Sequence, residues 1–286
     1  MAVDVLQEKI RKTKNPSVLE LNLSMGDLPP QFEKTGEDYG AFCRELLDAL
    51  KGIVPAVRFS FSAFALNGAF GQLQETMVYA AQQGYYVLLD APEILSPAAA
   101  KMAAETLLGE GSAWPCDGLV ISGYLGSDVI KPFLPYCKKQ QKDIFIVTRT
   151  ANKSAPELQD LLSGTRLVHA AAADHVNRYG TDTAGKFGYT RVGILAAASA
   201  SDSLRNLRMK YPRLFFLVDG YDYPNANAKN CSFAFDKYGH GAAVCSGVGI
   251  SCAWKENESD GSDFADHARA AAERMKKNLT RYVTVL

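Results

Sequence analysis

Net charge is missing from this chain of 286 residues, in which 31 Lys and Arg face 31 Asp and Glu. No field of one sign draws nucleic acid or an anionic membrane, and no basic run supplies one locally, so a small molecule or a protein is the expected partner. Long apolar runs are missing too, since none approaches the roughly 20 residues that cross a bilayer. The opening MAVDVLQEKIRKTKNPS reads as a short amphipathic helix without the apolar centre of a signal peptide. The expectation is a cytoplasmic protein with no membrane partner. Cys43, Cys116, Cys137, Cys231, Cys245 and Cys252 form no CxxC pair, which favours reduced thiols packed in the core over zinc or disulfides. His169, His175, His240 and His267 show no ligand spacing with Cys, Asp or Glu, so neither a metal nor a cofactor is expected. GxGxxG after the first strand and GxSxG anywhere are absent as well, which removes two common sequence marks of cofactor and nucleophile sites.

Apolar residues are plentiful, at 47% of the chain, enough for a substantial core. They gather in eight short runs: Val18–Leu23, Val54–Ser60, Tyr85–Asp90, Asp117–Ser122, Asp143–Thr148, Val192–Ala198, Leu214–Asp219 and Ala242–Gly247. Near-continuous apolarity marks strands buried on both faces, as in a parallel sheet. Helical periodicity lies between them, for instance over Phe42–Leu50, Gln72–Gln83, Ala98–Leu108 and Asp263–Leu279. Strands alternating with helices over about 250 residues predict a (β/α)8 TIM barrel. An open doubly wound sheet is the alternative. The longer stretch from Thr150 to Arg191, SAPELQDLL and then LVHAAAADHVNRYGTD, predicts a two-helix insertion between strands five and six. No Pro- or Gly-rich linker divides the chain, so residues 1–286 are expected to form one domain.

In such a barrel the chemistry sits at the C-terminal strand ends. Those ends carry Asn22, Arg58 with Ser60, Asp90, Ser122, Arg149, Ser199, Asp219, and Ser246 with Gly247. Arg58 and Asp90 lie on adjacent strands and are expected to pair, as part of a site or as a satisfied buried ion pair. The run from Cys245 to Ile250, CSGVGI, places Gly247 and Gly249 in a turn that could cradle a phosphate or make a tight connection. The third run is odd: YYVLLD ends on a carboxylate, yet APEIL follows with neither lysine nor histidine.

The order of motifs resembles the orotidine 5'-phosphate decarboxylase family in its longer bacterial form. The matching text runs from EKIRKTKNPSV and LDALKGIVPAV through DGLVISGYLGSDVIKPFLPYC and IFIVTRTAN. It continues with FGYTRVGILAAAS, LFFLVDGY and GAAVCSGVGISCAW, so the likeness covers essentially the whole chain. The resemblance implies a barrel that dimerises through its open ends, with GYLGSD and TRTAN lining the dimer face.

The resemblance also implies where the family's alternating Lys-Asp-Lys-Asp network would fall. Arg58 stands for its first lysine, Asp90 for its first aspartate, Pro92 for the proton-donating lysine and Leu95 for the second aspartate. Asn22 stands for the ribose-contacting aspartate, and Ser122-Gly123 for the Asn-Pro before Tyr-Leu-Gly. The loop that grips phosphate and base reads Asp222-Tyr223-Pro224-Asn225, and Val248 replaces the phosphate-binding arginine. Proton transfer from a placed side chain contributes about 10²–10⁴ in rate, and electrostatic preorganisation usually more. The resulting expectation is a binding or regulatory barrel without decarboxylase activity, a homodimer working beside an intact paralogue. Two alternatives stand: altered chemistry by Arg58, Asp90, Glu93 or Asp222 on an unphosphorylated ligand, or an active decarboxylase of pyrimidine biosynthesis.

Overall fold

The computed structural model describes residues 2–91, 94–257 and 259–286. Its strands close in chain order into a parallel barrel: β1 (Ser17–Leu21), β2 (Ala56–Ser60), β3 (Tyr86–Asp90), β4 (Gly118–Ser122), β5 (Asp143–Arg149), β6 (Thr190–Ala197), β7 (Leu214–Asp219) and β8 (Ala242–Ser246). β8 returns to pair with β1, Leu19 opposite Ser246, and that closure excludes the open doubly wound sheet. Every strand overlaps one of the apolar runs. They are mostly apolar because one face fills the barrel and the other lies under helices, so β2, β6 and β8 are buried at every position.

The surrounding helices start where their sequences place a cap. Thr35 and Asp38 form a reciprocal capping box ahead of Gly36–Leu50, and Ser96 caps Pro97–Leu108 with proline in the first turn. Phe42, Leu46 and Leu50 then form one buried stripe. Phe42 meets Phe264 of the last helix, Phe264–Thr280, with ring centroids 5.0 Å apart.

The first helix, Ala2–Thr13, crosses the N-terminal end of the barrel and buries Val3, Leu6 and Ile10. Lys9 Nζ donates to the Gly84 carbonyl at 2.6 Å, just before β3, and Gln7 Oε1 accepts from the Gly241 N–H at 3.0 Å, just before β8. This end is therefore plugged, and the C-terminal mouth is the end left for a ligand.

The insertion holds two helices as expected, but the first is cut short and a hairpin follows it. Its first part is one turn, Pro156–Gln159, followed by a two-stranded hairpin pairing Leu162–Ser163 with Arg166–Leu167. The second part is the expected helix, Val168–Gly180. Two features keep the first helix to a single turn. Leu158, Leu161 and Leu162 are each more than half exposed, so no core rewards a helical stripe there. Gly164 takes a φ of +66°, which reverses the chain at no steric cost. Among the described residues no helix is long and apolar enough to cross a membrane.

Candidate functional site

Parallel register sets Glu20 beside Arg58 on β1 and β2, and Ser60 beside Asp90 on β2 and β3. Asp219 ends β7 opposite Ala197. Inside the barrel Arg58 bridges these strands. Its Nη2 donates to Asp90 Oδ2 at 2.5 Å, its Nη1 donates to Asp219 Oδ1 at 2.8 Å, and the same Nη1 lies 3.5 Å from Glu20 Oε1. The Arg58 side chain is 6% exposed, and the three carboxylates between 15% and 20%. The expected Arg58–Asp90 pair is present, within a larger cluster.

Three carboxylates about one guanidinium leave an excess of negative charge in a poorly hydrated place. Burial opposes the charge on Arg58, but Asp90, Glu20 and Asp219 together outweigh it and hold its pKa well above the ordinary value. Glu20 shows the other side of that balance. Burial raises it most, Arg58 pulls it back, and Asp219, Asp90 and Asp222 push it up again, to about 7. Glu20 was not among the residues singled out from the sequence. Its signal was a lone charge inside VLELN, on the same strand face as Asn22.

Glu20, Arg58 and Asp219 line a cavity of about 460 Å³ together with Asn22, Gly220 to Pro224, Cys245, Gly247 and Val248. Among the described residues lining it, Arg58 is the sole cation. Val248 is 47% exposed there and supplies no charge. From the loop after β7, Asp222 Oδ1 accepts from Ser246 Oγ and Oδ2 from the Gly247 N–H, both at 2.7 Å. Ser246, Gly247, Gly249 and Asp222 thus come together as one structural unit.

Other candidates serve elsewhere. Ser60 Oγ accepts from the Ala63 N–H at 3.2 Å and caps the short helix after β2. Ser122 Oγ accepts from the Tyr124 N–H at 3.3 Å, holding the turn after β4. Arg149 donates from Nε and Nη2 to the two oxygens of Asp160 at 2.9 and 3.0 Å, and from Nη1 to the Thr150 carbonyl at 2.6 Å. It borders a separate cavity of about 580 Å³ beside the insertion. Leu95 is 70% exposed, outside the charge cluster. Pro92 and Glu93 lie outside the described residues.

All six cysteines are free and buried. His169 Nδ1 lies 3.0 Å from the Gln159 carbonyl and 3.1 Å from Asp160 Oδ1, within the insertion. Among the described residues no group of three or more His, Cys, Asp or Glu is arranged to hold a metal ion.

No family model matches the chain. Among curated relatives, the orotidine 5'-phosphate decarboxylase of Rhodopirellula baltica is 31% identical over 251 residues, 84% of this chain and 83% of its own. That of Clostridium perfringens is 28% identical over 286 residues, 98% of each chain. Solved structures agree in fold. Leishmania donovani UMP synthase superposes with a TM-score of 0.78 at 23% identity, over 98% of this chain and 56% of that one. Leishmania donovani OMP decarboxylase gives 0.71 at 21% identity, over 96% and 99%.

Proposed function

The chain belongs to the orotidine 5'-phosphate decarboxylase family, and from that premise we propose that it is a barrel that keeps the scaffold without the decarboxylation. Its role is to bind a small molecule that carries no phosphate, as a binding or regulatory subunit. One observation carries this reading. The sole cation lining the described mouth is Arg58, and it is held by Asp90, Asp219 and Glu20. An orotate carboxylate or a phosphate entering there meets the carboxylates of Glu20, Asp219 and Asp222, and among the described residues lining the mouth no free guanidinium or amine receives it.

The sequence supports the same conclusion. Proline at position 92 has no proton to give the departing carbon, Leu95 has no charge, and Val248 cannot clamp a dianion. Binding energy from a remote phosphate normally helps organise the reacting centre, so its loss lowers turnover as well as affinity. The test is the ultraviolet loss of the orotate chromophore, run at high protein concentration with material free of host enzyme. No decarboxylation above background is expected. Turnover that scales with protein and disappears in Asp90→Ala overturns the reading and returns the chain to pyrimidine biosynthesis.

Glu20 supports a second reading, acid–base chemistry on an unphosphorylated ligand. A carboxyl group near pH 7 at the wall of a cavity can both take and give a proton at neutral pH. A ligand whose chemical conversion by the wild type is abolished in Glu20→Gln would favour it.

The assembly we propose is a homodimer joined through the barrel mouths, with an intact paralogue as a further partner, in the cytoplasm. Leu66, Phe70, Leu95 and Met102 support the dimer, exposed by 87%, 49%, 70% and 65% on segments following β2 and β3. Exposed large apolar groups, where contiguous, mark an interaction surface. A dimer burying more than about 1,600 Å² in total is expected, and light scattering that finds a monomer at micromolar concentration refutes it.

A further inference from the structure

Barrels of this architecture often hold a ligand's phosphate between the loops after the seventh and eighth strands, where main-chain N–H groups and hydroxyls face an anion. In this chain two donors at that place are already taken. Asp222 Oδ1 accepts from Ser246 Oγ and Oδ2 from the Gly247 N–H, each at 2.7 Å. Each oxygen of one carboxylate thus receives one donor of the turn after β8, as two oxygens of a phosphate would.

The surroundings are shaped for this contact. A Cβ on Gly249 would stand 2.3 Å from Asp222 Oδ1 and 3.3 Å from Ser246 Oγ, so a larger residue there would drive the carboxylate off. Ser246 is only 2% exposed, and a buried hydroxyl needs an acceptor. Asp222 also borders two cavities at once. One is the mouth, of about 460 Å³; the other is an outer cavity of about 560 Å³ whose wall carries Lys255 and Arg274.

We infer that Asp222 is the chain's own occupant of an anion niche, and that this contact excludes phosphate-bearing ligands from the mouth. The niche itself persists; two of its donors, Ser246 Oγ and the Gly247 N–H, are engaged from within. The inference rests on the phosphate-free reading above and adds to it a single residue that enforces the exclusion.

The experiment measures inorganic phosphate binding to the purified 286-residue chain by calorimetry, with chloride at matched ionic strength as control. Wild type, Asp222→Asn and Asp222→Ala are compared. The asparagine keeps the shape and removes the charge, so it carries the test even if the alanine variant folds poorly. Phosphate should bind the alanine variant at least about tenfold more tightly than wild type, the size of one charge-assisted hydrogen bond. The asparagine variant should fall between them. Equal phosphate affinity in all the proteins that fold, or tightest binding in the wild type, overturns the inference. The two ideas separate cleanly in their failures. A wild type that decarboxylates defeats the functional reading; an inactive wild type whose variants gain no phosphate affinity defeats only the role of Asp222.

Discussion

Replacing Glu20 by glutamine should stabilise this protein, and by an amount that grows with pH. In the folded chain Glu20 is lifted from the ordinary 4.5 to about 7, by burial first and by Asp219, Asp90 and Asp222 beside it, against the pull of Arg58. Between those two values the folded state binds a proton that the unfolded state has released, so wild-type stability falls as pH rises through the window. At about 1.4 kcal/mol for each tenfold change in proton affinity, the full displacement amounts to about 3 kcal/mol. Glutamine has nearly the shape of the protonated acid and nothing to ionise. At pH 5 most of the penalty is not yet felt, and the variant should exceed wild type by about 1 kcal/mol or less. At pH 8.5 the gap should reach about 3 kcal/mol, or about 6 °C in Tm for a chain of this size. Calorimetric or urea unfolding of both proteins from pH 5 to 8.5 measures it directly. Parallel stability curves, or a gap that shrinks with rising pH, would refute the assignment of Glu20 as a buried, proton-retaining carboxyl.

Two further outcomes follow from the same structure. Arg58→Met removes the one cation from Glu20, Asp90 and Asp219 and should cost about 3–5 kcal/mol at neutral pH in urea unfolding, because a buried charge pair is broken from one side; adding Asp90→Asn should recover part of the loss. The six free cysteines are buried, and burial lifts the thiols of Cys116, Cys231 and Cys252 to about 12. A disulfide reagent should therefore leave the native chain unlabelled for as long as it stays folded and label it fully in denaturant, and rapid labelling of the native protein would contradict that packing.

The sequence by itself determined the barrel and much of its mouth. Strand burial is a local property, written as runs such as LFFLVD, and parallel order puts chain neighbours side by side, so the pairing of Arg58 with Asp90 is legible in the sequence. Only the tertiary structure decided the rest of the site. Asp219 stands 161 positions from Arg58 and reaches it because the closed barrel turns both strand ends inward. Glu20 reads in sequence as one charge in an apolar strand; its proton affinity comes first from its burial in the closed barrel and then from the three other carboxylates gathered by that closure. Asp222 was legible as an acid on a loop, but its hold on Ser246 and Gly247 depends on how that loop folds over the neighbouring turn. The hairpin in the insertion has the same origin. Its leucines favour a helix on paper, and the absence of a surface to bury them against leaves Gly164 free to turn the chain. The barrel strands and their order follow from interactions close along the chain, whereas the hairpin of the insertion and the charge balance at the mouth follow from what the closed barrel does and does not place beside them.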